Sequence, residues 1–190
     1  MSVRSTIVKS VFEMILVGVG VFLGMAADQW RTDQQHKTEA IEALRRFKVE
    51  LENNRAAVAN VKDYHVTLRG EIIKYLDPKV DRKTVSLRMS GIQPVTFEHT
   101  AWDLAIATQW LAEIDPKIAF ELTRVYGMQQ AYAAQTSGIL QALYLRPPEG
   151  DLVAFLQSLK VYYDDVIGYE PALLEMYAAV LPMIDSALRD

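Results

Sequence analysis

The chain has three histidines, at positions 36, 65 and 99, and no cysteine in 190 residues. Without a thiol there are no disulfides, thiolate nucleophiles or cysteine metal sites. The densest local grouping of reactive side chains is Glu98, His99 and Asp103. If a helix has begun by His99, then His99 and Asp103 share one of its faces at i, i+4 and can exchange a proton or present two ligands. A metal would need a third and a fourth ligand, which the neighbourhood does not supply. Acidic residues at a helix start also have a simpler reason, the positive end of the helix dipole, and this is the favoured reading. Asp164 and Asp165 are adjacent, so they point to different sides of a helix and make a poor acid–base pair. No HExxH, GxSxG or P-loop occurs. The sequence therefore assigns no catalytic, cofactor-binding or metal-binding residue, and the expectation is a protein that is not an enzyme.

Aromatic side chains are the remaining candidates for a site. Trp102, Trp110 and Tyr126 are the candidates for a pocket between helices, which a ligand-sensing domain would need. Tyr132, Tyr144, Tyr162, Tyr163 and Tyr177 either extend such a groove or, as is more usual, fill a bundle core with the hydroxyl at its edge.

These residues must be positioned by helices, because no run alternates as a strand would. Apolar residues recur at Ala40, Leu44, Phe47, Leu51, Val58, Val61, Leu68, Ile72 and Tyr75, in steps of three and four. Asn54 and His65 fill the two gaps in the series. This is heptad patterning over about five heptads. Asn54 reads as a register-setting polar residue and His65 as a satisfied or partner-facing one. The seam is either a coiled coil between chains or, the favoured alternative, one long helix laid against later helices of the same chain. Asp77-Pro78 ends it. Residues 77–95 read as a loop, with a helix starting near Thr96 or Thr100, where Thr100 and Asp103 have capping-box spacing. That helix is expected to reach about Glu113 and, being apolar nearly all round, to be central. Asp115-Pro116 restarts the chain as cap and first helical residue. Ile118, Leu122, Val125, Tyr132, Ile139 and Leu143 then carry a helix to about Leu145. Asp151 caps the next, with Leu152, Phe155, Leu156, Leu159 and Tyr163 on its face. Gly168 and Glu170-Pro171 are expected to separate it from a last helix running from Pro171 toward Leu188, kinked at Pro182.

The run Val11–Ala27, VFEMILVGVGVFLGMAA, holds one charge, Glu13. With Ser10 it is about 27 Å long as a helix, near the minimum for a hydrocarbon core. A cleaved signal peptide is the rival reading; the intruding Glu13 and the helix-favouring sequence beyond Ala27 favour an anchor. Gly20 and Gly24 form a GxxxG pair, with Ala27 three residues on, and suit close packing of membrane helices. Gly18, Gly20 and Gly24 imitate a dinucleotide fingerprint but lack its strand–turn–helix setting. The expected organisation is thus all-α: a short tail (1–9), a transmembrane helix (10–30), a heptad-patterned stalk (31–76), a loop (77–95) and a helical-bundle domain (96–190). Basic residues flank both ends of the span. Because long C-terminal domains translocate largely regardless of charge, the domain is expected on the periplasmic side.

Residues 1–100 carry 15 Lys/Arg against 12 Asp/Glu, and residues 101–190 carry 5 against 12. The signs are too mixed for a nucleic-acid surface, which needs a sustained positive field. LVGVGVFLGMAADQWRTDQQ, followed by a charged helix with ELENN, resembles a group of uncharacterised bacterial membrane-anchored proteins. HTAWDLAIATQWLAEIDPKIAFELTRVY, with Thr100, Ala101, Trp102 and Tyr126, is similar to their second shared block. The resemblance covers about half the chain. It implies an anchor in a bacterial inner membrane and brings no activity. The resulting expectation is an accessory or scaffold subunit of a larger membrane complex. It would contact other subunits or a second copy through the membrane and stalk helices. The alternative is an extracytoplasmic helical ligand-sensing domain on an anchor.

Overall fold

The computed structural model describes the backbone of residues 3–145 and 151–189, and the side chains of residues 14, 16, 18–145 and 151–189. Four helices make up the described chain: α1 (Val3–Leu76), α2 (Thr100–Ala107), α3 (Pro116–Leu145) and α4 (Leu152–Ala187). Short 3-10 turns lie at Arg82–Thr84 and Trp110–Glu113, and there is no strand among the described residues.

The bundle is built on three heptad seams. On α1, Leu44, Phe47, Leu51, Asn54, Val58, His65 and Leu68 are buried, and Val61 packs against them half-buried. On α3 the seam is Ile118, Leu122, Val125, Gln129, Tyr132 and Thr136. On α4 it is Leu159, Tyr163, Val166, Glu170, Leu173, Tyr177, Val180 and Ile184. Each runs in alternating steps of three and four, which keeps one stripe of a helix facing its neighbours. Polar contacts fix the directions. Lys48–Asp185, His65–Glu170 and Arg69–Asp164 pair α1 with α4 in descending order, so the two are antiparallel. Gln129–Tyr177, Tyr132–Glu170 and Thr136–Tyr162 do the same for α3 with α4. The α1 seam therefore closes on the chain's own helices.

Three local expectations are corrected. α4 is one helix across Gly168 and Pro171, with Pro171 and Pro182 inside it. Proline removes one backbone bond, but the buried stripe continues unbroken from Val166 to Ile184, and its packing holds the helix together. α2 stops at Ala107 rather than near Glu113, because Gln109 takes the left-handed conformation (φ 61°) and the chain re-enters as a 3-10 turn. α2 is also peripheral: Ala101 and Ala105 are buried while Ile106 is exposed. Third, Thr100 and Asp103 form no capping box, and the N-terminal residue His99 makes no side-chain cap bond. The cap comes from another helix: Ala101 N–H donates to Glu50 Oε2 at 2.7 Å. Asn54, also on α1, clasps the segment just before α2, accepting from Glu98 N–H and donating to Glu98 O, both at 2.8 Å.

The part of α1 before Ala40 projects from this core. His36 of this part pairs with Glu113 of the 3-10 turn, at 3.3 Å. Met14, Leu16, Val19, Val21, Phe22, Leu23, Met25 and Trp30 are all exposed. Among the described residues no helix is long and apolar enough to cross a membrane. Part of the expected span, the side chains of residues 10–13, 15 and 17, lies outside the described residues.

Candidate functional site

A cavity of about 730 Å³ opens between one face of α3 and the segment from Pro94 to Asp103. Its size is within the range of small-molecule sites. The fold leaves this space because the α3 face turned to it carries small residues, Gly127, Ala133 and Ser137, where bulk would close the gap. Gly127 sits in mid-helix, where glycine costs about 1 kcal/mol relative to alanine. A Cβ built there meets no atom within 4 Å, so no close approach of another element requires the glycine.

One wall is aromatic. Trp102 and Tyr126 stack with ring centroids 4.6 Å apart and planes 20° apart, and both rings lean on Phe47 of α1. The Tyr126 hydroxyl donates to Glu50 Oε1 at 2.5 Å. Burial, reinforced by that carboxylate, pushes the hydroxyl far above the usual tyrosine range, so the residue offers the cavity a ring and no acid. Glu50 thus bonds both Tyr126 and the start of α2, and ties two walls of the cavity to α1.

The polar groups of the lining are unevenly charged. Asp103 is its one carboxylate, and it contains no lysine or arginine. Asp103 Oδ2 is 2.6 Å from His99 Nδ1, with both side chains more than 60% exposed at the rim. Gln129, 3% exposed, stands in the wall; its amide nitrogen donates to Tyr177 at 2.9 Å, and its oxygen is buried with no partner.

Behind the cavity lies a second polar group, sealed in the core. His65 and Glu170 have no exposed side-chain surface, and Nδ1 lies 2.5 Å from Oε1. His65 Nε2 faces the carbonyls of Ile92 and Gln93, at 3.0 and 3.1 Å. Carbonyls only accept, so Nε2 carries a proton and donates. One further proton then lies between Nδ1 and the Glu170 carboxyl. Tyr132 O–H donates to the same Oε1 at 3.1 Å, while Oε2 has no partner. Tyr163 donates to Ile92 O at 3.2 Å. Desolvation raises both tyrosine hydroxyls above their usual range, so they stay protonated as donors. The group joins α1, α3 and α4 and anchors the backbone immediately before Pro94 and Val95, two residues of the cavity wall.

The structure brings Trp102 and Tyr126 together but not Trp110, which lies in the 3-10 turn with the Arg46 guanidinium 5.7 Å from its ring centroid. Trp110 is therefore removed from the expected pocket. Of the other candidate tyrosines, Tyr132, Tyr162, Tyr163 and Tyr177 are core residues and Tyr144 is exposed. Gly20, Gly24 and Ala27 lie on the projecting part of α1, and a Cβ at either glycine meets nothing within 4 Å. Among the described residues no group of three or more His, Asp or Glu side chains could hold a metal ion. Sequence reasoning missed Glu50, Gln129 and Glu170. A signal existed for the last two, each a polar residue at a heptad position of an otherwise apolar stripe. Glu50 had none, because its partners lie 51 and 76 residues away.

In comparisons with known proteins, no protein-family model, curated protein or solved structure matches this chain.

Proposed function

We propose that this protein is a non-enzymatic, single-span accessory or scaffold subunit of a bacterial inner-membrane complex, with its helical domain on the periplasmic side. The observation that carries this reading is the projecting part of α1. Seven apolar side chains between Met14 and Met25 are exposed around it. Burying a side chain of that size is worth about 1.5–3 kcal/mol, so this surface calls for a lipid or protein environment. α1 continues without a break from this projecting part into the seam of the bundle. That continuity makes it a rod between the bilayer and whatever the domain meets.

The test is to solubilise native membranes in mild detergent, pull on this protein and identify what accompanies it. A stoichiometric complex is the expected result. Gly24→Leu should weaken co-purification, because it removes the close approach that Gly20, Gly24 and Ala27 permit. A lone chain that survives every detergent would overturn the subunit reading.

A second reading, a membrane-anchored ligand-sensing domain, is favoured by the cavity beside Trp102 and Tyr126. Its wall is coupled to α1 through Glu50 and Phe47, so an occupant would bear on the rod that enters the bilayer. Stabilisation of the purified chain by a small molecule supports it.

A further inference from the structure

We infer that the cavity between α3 and Pro94–Asp103 binds an organic cation with a flat apolar body, its ammonium head at Asp103 and its body against Trp102. The inference rests on the ligand-binding reading of this cavity and names the chemical class of its occupant.

Charge supplies the first argument. The lining holds one carboxylate and no lysine or arginine, and residues 101–190 as a whole carry 5 Lys/Arg against 12 Asp/Glu. An anionic ligand would meet like charge at Asp103, and the one basic side chain of the lining, His99, is already bonded to that carboxylate, so like charge disfavours an anion. A cation meets Asp103, whose bond to His99 uses Oδ2 and leaves Oδ1 for another donor. Shape supplies the second. The stacked Trp102–Tyr126 pair gives a rigid aromatic wall, and aromatic rings, indole above all, attract a nearby ammonium. Along α3 beside that pair, Gly127 and Ala133 leave room for a ring. The third argument is the Gln129 carbonyl, buried in the wall without a partner. Core bonds use the nitrogen arm of that amide, so a small shift of the wall would let the oxygen accept a donor from an occupant.

The experiment uses the full chain in nanodiscs of uncharged phosphatidylcholine, with empty discs as the blank. Isothermal titration calorimetry follows three probes sharing one ring system: naphthylethylamine, naphthylethanol and naphthylacetate. The amine should bind roughly tenfold more tightly than the acetate, the size of one charge-assisted bond. Asp103→Asn should remove that advantage and leave naphthylethanol unchanged. Gly127→Phe fills open space, so it should abolish binding of all three while the helical melting transition is retained. If the alcohol and acetate bind as well as the amine, and Gly127→Phe removes them, the cation proposal falls and the ligand-binding reading stands. If the amine's advantage survives Asp103→Asn, the proposal falls as well. If no probe binds the wild-type chain, both fall together.

Discussion

Two histidine–carboxylate pairs of almost equal length sit in opposite surroundings. His99 and Asp103 meet at 2.6 Å, four residues apart on one helix start, with side chains 68% and 63% exposed. His65 and Glu170 meet at 2.5 Å, 105 residues apart, with no exposed surface at all. The contact chemistry is the same and the consequences differ. Water competes for the first pair and screens it, so it contributes little to folding and stays available to a ligand. The second pair has been taken out of water. Its partners hold the helices in register, and removing either leaves an uncompensated polar group in the core. Short distance alone therefore says nothing about role; the surroundings decide whether a pair holds the fold or can serve a site.

Several measurements would sharpen or break this contrast. The largest effect should come from alkali. Tyr126, Tyr132, Tyr162, Tyr163 and Tyr177, which include the donors around the buried pair, have hydroxyls raised by burial. Their folded-state values lie above the unfolded value of about 10. The stability this confers is complete below about pH 10 and is lost as pH rises toward the folded values, because only the unfolded chain releases those protons. Lys48, raised by its bond to Asp185, acts in the same direction. Tyrosinate absorbance from the buried rings should appear together with loss of helix; its appearance in a still-helical protein would contradict the sealed core. Next, Glu170→Ala should cost about 3–5 kcal/mol in urea unfolding, as loss of one partner from a buried pair does. A cost below that of an ordinary surface change would remove the distinction between the pairs. Asn54→Ala, which breaks both bonds to Glu98, should cost about 1–3 kcal/mol. Because Glu98 adjoins His99, it should also loosen the cavity rim, visible as faster amide exchange in α2. Gly127→Ala should stabilise α3 by about 1 kcal/mol; a loss would mean that the cavity is smaller than its lining implies. Smallest of all, a double-mutant cycle on His99 and Asp103 should return about 0.3–0.5 kcal/mol. A coupling several times larger would place that pair with the buried one.

The candidate site was legible in unequal parts. His99–Asp103 and the Trp102 and Tyr126 wall could be read because spacing on one element, or bulk in one segment, identifies them. Trp110 was misread for the same reason: an aromatic residue eight positions from Trp102 looks equivalent until Gln109 turns left-handed and sends it elsewhere. The α4 stripe was hidden by Pro171, a strong local breaker whose effect is outweighed by packing on both sides. The capping of α2 by Glu50 left no local trace.

By itself the sequence determined what depends on neighbours along the chain. It fixed the helical periods, the seam through Leu44, Phe47, Leu51, Asn54, Val58 and His65, the caps at Asp115 and Asp151, the end of α1 at Leu76 and the absence of thiol chemistry. These follow from interactions within about one helical turn, which a linear reading can count. Only the tertiary structure decided that the seam closes within the chain, that His65 meets Glu170, that Glu50 holds two cavity walls and that Gln129 is left with a buried, unpartnered oxygen. Each of these depends on which distant stripe is brought alongside. That is set by the joint burial of three helices, a quantity no single segment contains.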